Sequence, residues 1–141
     1  MFALVVVPLI IGTMLMLVYV VPIKVDRARL PAIYRFSSGR VMQEINVRAD
    51  GTYINSYYVN RCLRWSYISN WKMEEQSENI GVTFKYFRFG VPGYGVEQPG
   101  YWFVSPVTTL FGDRKLCFDP DNSNLCFRAS WRKMKPVRLN C

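Results

Sequence analysis

Four cysteines carry the widest chemistry in this chain: Cys62, Cys117, Cys126 and Cys141. Thiolates hold zinc, act as nucleophiles or pair as disulfides. Structural zinc draws paired ligands from tight C-x-x-C knuckles, and no such spacing occurs here. The 141 residues also include no histidine. That removes the commonest general base, the Ser-His and Cys-His nucleophile pairs, and most zinc sites together. Disulfides remain. Residues 115–118 (KLCF) and 125–128 (LCFR) flank a polar loop, 119–124. If Phe118 closes against Leu125, Cys117 lies opposite Cys126 and Leu116 opposite Phe127. Opposed strand residues have Cα separations of about 4.5–5.5 Å, within the range a disulfide tolerates. The spacing therefore predicts a Cys117–Cys126 disulfide if the domain lies outside the cytosol. Lys115 opposite Arg128 costs a little, which a crosslink offsets. Cys62 with Cys141 is the candidate second disulfide, although nothing in the sequence fixes its geometry.

Carboxylates could do acid–base work without histidine, and Glu44, Glu74 and Glu97 are the candidates for a hydrolase. Nothing in the sequence brings them together, so no catalytic residue is assigned and an enzyme is the lesser reading. Residues 119–124 (DPDNSN) resemble the start of a calcium loop. They lack the glycine at its sixth position, and the twelfth position is Ser130 rather than glutamate. They read as a hairpin loop, and no metal or cofactor site is assigned. Arg132, Lys133, Lys135 and Arg138, beside Trp131, form a basic cluster that could contact anionic lipid or polymer; a solvated tail is the plainer reading. The net charge of +8 favours anionic partners generally.

The elements that must position these residues are strands. Residues 41–59 (VMQEINVRADGTYINSYYV) read as a hairpin turning at Asp50-Gly51, because a type I′ turn needs positive φ at both central positions. A two-residue loop makes Ala49 and Thr52 the closing pair. Val47 then faces Ile54, Ile45 faces Ser56 and Gln43 faces Tyr58. Further strands are expected at 32–37, 62–67 with a continuation at 71–74, 80–89, 101–106 and the closing hairpin. Asn60-Arg61 is a candidate turn. In 80–89 the alternation breaks at Tyr86-Phe87, which predicts a bulge. Residues 90–100 hold two Pro-Gly pairs and read as the longest loop.

The first 23 residues carry no charge. Residues 2–23 as a helix would span roughly 33 Å, enough for a bilayer core of about 30 Å. A cleaved signal would want a basic start and small residues before the cut. The segment therefore reads as a single transmembrane span, with 24–31 as a juxtamembrane linker, 32–130 as the β domain and 131–141 as a basic tail. Lys24, Arg27 and Arg29 after the span argue for a cytosolic domain by the positive-inside rule; the cysteine pattern argues the other way.

Ala49-Asp50-Gly51-Thr52-Tyr53 after an alternating strand, the Trp65 and Trp71 region, Gly100-Tyr101-Trp102 and the closing Cys117 and Cys126 hairpin together resemble small bacterial envelope proteins with a "DGTY" hairpin. The resemblance covers about 33–129 and implies a bacterial, extracytoplasmic β domain with no assigned activity. The expectation is thus a mainly β protein with one N-terminal transmembrane helix, its domain an antiparallel sandwich or partly open barrel of about seven or eight strands. It is expected to sit in the inner membrane with the domain in the periplasm. Its role would be a binding or accessory module for an envelope protein, lipid or glycan rather than nucleic acid.

Overall fold

Inward apolar and outward polar side chains alternate along eight strands in the computed structural model of the chain. It describes residues 26–76, 79–90, 99–108, 112–118 and 125–130. The strands are β1 (Ala32–Ser38), β2 (Val41–Val47), β3 (Thr52–Val59), β4 (Cys62–Gln76), β5 (Asn79–Phe87), β6 (Gly100–Thr108), β7 (Arg114–Cys117) and β8 (Cys126–Ser130). Each pairs antiparallel with the next, and β1 pairs with β8, so the sheet closes into an up-and-down barrel. Neither the sandwich nor the partly open barrel expected from sequence is formed. Closure is made by Ile33 opposite Ser130, Tyr34 opposite Ala129 and Arg35 opposite Arg128. It leaves no unpaired edge, the liability an open sheet must manage.

Residues 2–23, expected as a transmembrane helix, lie outside the described residues. No helix among the described residues is long and apolar enough to cross a membrane. The barrel has an aromatic-rich interior that includes Tyr34, Tyr53, Phe84, Phe87 and Phe127, each at most 1% exposed. Along one outer row the chain places Arg128, Arg35, Glu44, Ser56 and Ser66 on neighbouring strands. This row is polar, unlike the lipid-facing band of a membrane-spanning barrel.

The β2–β3 turn departs from its expected form. Arg48 N donates to Thr52 O at 3.0 Å, so Arg48 and Thr52 close a three-residue loop. Gly51 has φ +85° while Asp50 is not in the left-handed region. This matches a turn ending in a left-handed glycine bulge, which Asp-Gly suits as well as a type I′ turn. Asp50 accepts hydrogen bonds from Thr52 N at 2.9 Å and from the Thr52 hydroxyl at 2.6 Å. The register slips by one residue: Val47 faces Tyr53, Ile45 faces Asn55 and Gln43 faces Tyr57. Tyr53 and Asn55 are therefore inside the barrel, and Ile54 is not. The left-handed pair sits instead at Asn60 and Arg61, with φ 53° and 67°, between β3 and β4.

β4 runs unbroken through the gap expected at 68–70, and it changes partners on the way. Its first part pairs with β3 and its part from Trp71 onward with β5. Trp71 N donates to Gly51 O at 2.8 Å at this corner. β6 also changes partners, pairing with β5 up to Val104 and with β7 from Ser105. Strands that turn corners between two pairings are how a small barrel closes around a thick core.

The closing hairpin keeps its expected register. Leu116 faces Phe127, Cys117 faces Cys126, and the two cysteines form a disulfide with Cα atoms 4.1 Å apart. Phe118 N donates to Leu125 O at 3.2 Å, which makes Cys117 and Cys126 the close, non-hydrogen-bonded pair next to it. Leu116, Phe118, Leu125 and Phe127 are all buried. Cys62 is also disulfide-bonded; its candidate partner Cys141 lies outside the described residues. The Cys117–Cys126 bond closes a short loop, with a sequence separation of 9. Loop-closure entropy then assigns it about 2.5 kcal/mol. Replacing both cysteines by serine is expected to lower unfolding free energy by about that much in non-reducing urea denaturation, and a loss under about 1 kcal/mol would contradict the assignment.

The chain enters at the barrel end where β1 starts and β8 ends. Arg27–Arg29 form a 3-10 turn capped by Asp26. Leu30, in the stretch expected as linker, is 1% exposed and plugs this end. The Tyr34 hydroxyl donates to Leu30 O at 2.8 Å. The Trp71 indole donates to Arg48 O at 2.9 Å, and the Arg27 guanidinium stands 5.9 Å over its ring. Burial pushes the Tyr34 phenol up to about 12, against a lesser lowering by Arg114. The sign of the consequence is fixed by linkage. Below pH 10 both folded and unfolded chains keep this proton. Between pH 10 and about 12 only the folded chain does, so stability falls by about 1.4 kcal/mol per pH unit. Urea midpoints measured at pH 9, 10.5 and 11.5 should be highest at pH 9 and drop at each step, and Tyr34→Phe should reduce the drop.

Candidate functional site at the barrel rim

β5 places Val82 and Phe84 inside, and strict alternation would put Tyr86 inside as well. Tyr86 instead adopts φ 54°, uncommon for a bulky side chain. The β5–β6 register shifts between Phe84 and Phe87, the bulge expected at Tyr86-Phe87. Phe87 is thereby turned inward at 0% exposure, and Tyr86 stands outside, 5.7 Å from Tyr101. Past Phe84, β5 no longer pairs with the β4 backbone and is held by side chains instead. Lys85 O accepts from the hydroxyls of Tyr53 at 2.7 Å and Ser69 at 2.9 Å.

Residues 88–90 cross the rim over β2, β3 and β4, and buried side chains hold their backbone. Arg88 N donates to the Tyr67 hydroxyl at 2.7 Å. Arg88 O accepts from Gln43 Nε2 at 2.8 Å and from Asn55 Nδ2 at 3.0 Å. Gly90 N donates to Gln43 Oε1 at 2.9 Å. Gln43 Nε2 also donates to Asn55 Oδ1, and Asn55 Nδ2 to the Tyr67 hydroxyl, both at 2.9 Å. Gln43 and Asn55 are both 0% exposed. Each of their side-chain nitrogens and oxygens has a partner, so the network rigidifies where an unsatisfied one would destabilise. Burial raises the pKa of the Tyr67 phenol.

What this network presents is a charged side chain. Tyr57 stacks on Trp65 (5.3 Å between centroids) and Trp65 on Tyr67 (5.6 Å). The Arg88 guanidinium lies over Trp65 at 5.5 Å, a cation–π contact. Gly90 packs on the Tyr57 ring so closely that a Cβ there would sit 2.0 Å from Cδ2. Arg40, Arg61 and Arg64 are exposed on the same rim. Asn60 N donates to Arg40 O at 2.8 Å, joining the β1–β2 and β3–β4 turns. Arg64 is the extra residue where the β3–β4 register shifts between Tyr57 and Tyr58. Among the described residues, no carboxylate pairs with these four arginines. Guanidinium forks bind carboxylate and phosphate oxygens in pairs, and ones already fixed in place lose little entropy in doing so.

The other sequence candidates are scattered. Glu44 is held by Arg35 Nε at 2.7 Å on the outer wall. Glu74 is engaged by Lys72 and the Thr83 hydroxyl on β4 and β5. The fold does not bring these two together, and Glu97 lies outside the described residues. So do Trp131, Arg132, Lys133, Lys135, Arg138 and the loop 119–124. A cleft of about 150 Å³ is lined by Asp113, Arg114, Lys115, Arg128 and Ala129. Among the described residues, no three of histidine, cysteine, aspartate or glutamate are placed to hold a metal ion.

Comparison with known proteins returns no matching family model, no matching curated protein and no matching solved structure. Sequence reasoning missed Gln43, Asn55 and Arg88 as a unit. The available signal was two amides on strands otherwise inward-facing with Ile45, Val47 and Tyr53. Their shared partner, Arg88 O, is 33 residues beyond Asn55, and no local pattern points to it.

Proposed function

We propose that this chain is a membrane-tethered binding module of a bacterial cell envelope, with the apolar segment 2–23 in the inner membrane and the barrel in the periplasm. The observation that carries this reading is the placement of the two barrel ends. The chain enters beside Leu30 and Trp71, and the held Arg88 stands at the opposite end. A head tethered by the first end offers the second to a partner. The Cys117–Cys126 disulfide and the bonded Cys62 support an oxidising compartment. The packed aromatic core among the described residues leaves the charged rim as the surface for recognition.

The test is topological. Alkaline phosphatase fused after Cys141 should be active, and the fusion should stay with the membrane through alkaline carbonate extraction. An inactive phosphatase fusion beside a bright cytosolic fluorescent-protein fusion would overturn the periplasmic placement, and release by carbonate would overturn the anchor.

A further inference from the structure

We propose that the rim formed by Arg40, Arg61, Arg64 and Arg88 is a binding site for a linear anionic glycan, one whose repeating units carry phosphate or carboxylate groups. The inference rests on the reading of the barrel as a tethered head only for where the partner would be met, not for the chemistry of binding. The four arginines come from four separate pieces of chain: two hairpin turns, a bulge in β4 and the segment crossing after β5. Arg61 sits at φ 67° in the two-residue β3–β4 turn, and Arg64 is the extra residue of the β3–β4 register shift. Arg88 has both its backbone N–H and its carbonyl held by side chains from β2, β3 and β4. Several like charges on one rim repel one another, and oxyanions spaced along a polymer would relieve that repulsion at several points at once.

The aromatic ladder argues against base stacking on its own rings. Single-stranded nucleic acid is held by aromatic faces on which bases stack. Trp65 is already engaged by Tyr57, Tyr67 and the Arg88 guanidinium, and Tyr57 is covered by Gly90. The ladder therefore supports the arginine and offers the partner charge, not a stacking platform.

The full chain, purified in detergent, would be titrated at low and high salt with poly(glycerol phosphate), polygalacturonate, neutral dextran and a single-stranded oligonucleotide of matched charge. One or both anionic glycan-type probes should bind at low salt, weaken at least tenfold at high salt, and bind at least tenfold more weakly to Arg40→Gln/Arg61→Gln/Arg88→Gln. Lys115→Gln/Arg128→Gln, on the wall away from the rim, should change affinity less than threefold. Near-ultraviolet circular dichroism would confirm that each variant is folded. If the rim variant does not fold, neutralising Arg40 and Arg64 alone should still weaken binding severalfold. The proposal is overturned if neither anionic polymer binds, if dextran binds equally, if the rim variants bind as the wild type does, or if the oligonucleotide binds tenfold tighter than both polymers. None of these outcomes depends on which side of the membrane the barrel occupies, so the topology experiment and this one fail separately.

Discussion

Gly90→Ala is expected to lose about 3 kcal/mol of stability or more, near the top of what overpacking costs. The reason is steric and not conformational. A Cβ at Gly90 would lie 2.0 Å from Tyr57 Cδ2, 2.4 Å from Cε2 and 2.6 Å from Cγ, against the ring as a whole. Tyr57 cannot swing away without breaking its stack on Trp65, which is itself stacked on Tyr67. The crossing segment would have to lift, and that breaks the bond from Gly90 N to Gln43 Oε1. Gly81 offers the comparison. Its Cβ would come equally close to Phe103 Cζ, but Phe103 is only half-buried and its ring can move outward. Gly81→Ala should therefore cost clearly less. Urea denaturation of the two variants measures both; a loss under about 1 kcal/mol for Gly90→Ala would mean the segment does not pack on Tyr57 as described.

Gln43→Leu carries the second large effect, again about 3 kcal/mol. The side chain makes three hydrogen bonds at full burial. Removing it keeps an approximate volume but strands the Gly90 N–H and Asn55 Oδ1. Each orphaned buried group costs about 1–3 kcal/mol, more than the net worth of an intact bond. Arg88 O keeps the bond from Asn55 Nδ2, so the loss is partial. Asn55→Leu should cost a similar amount by leaving Gln43 Nε2 and the Tyr67 hydroxyl each one partner short. The double variant should depart from the two losses summed, because the bond between the amides is lost only once while Arg88 O, which keeps one donor in each single variant, loses both. A double-mutant cycle in urea reads the coupling directly, and strict additivity would show that the two amides do not act as one unit.

How much of this was legible in the sequence depends on the range of the contacts involved. The closing hairpin was legible in register and crosslink, because Cys117 and Cys126 are near neighbours with matched apolar partners on both sides. The break at Tyr86-Phe87 was legible because consecutive aromatics cannot both follow a period of two. The Asp50-Gly51 turn misled by one residue. Asp-Gly fits both a two-residue and a three-residue loop, and the difference reverses which face of β3 is buried. Local preference chose Ile54 for the interior. The fold chose Asn55, whose partners Gln43, Tyr67 and Arg88 are assembled from two other strands and a crossing segment. Barrel closure was illegible for the same reason: β1 and β8 meet only after all other strands are placed, and nothing local in either marks the other as its neighbour.

The grip of the buried amides on the rim arginine can be measured by amide hydrogen exchange at Arg88 and Gly90. In the wild type both amides should be protected nearly as well as those of β2 and β3, since Arg88 N bonds the Tyr67 hydroxyl and Gly90 N bonds Gln43 Oε1. In Gln43→Leu the Gly90 amide should lose protection at least tenfold more than the β2 and β3 amides do. Exchange at both positions in the wild type as fast as in an unstructured peptide would contradict the account, because the arginine would then be carried on a loose loop and not held by the barrel.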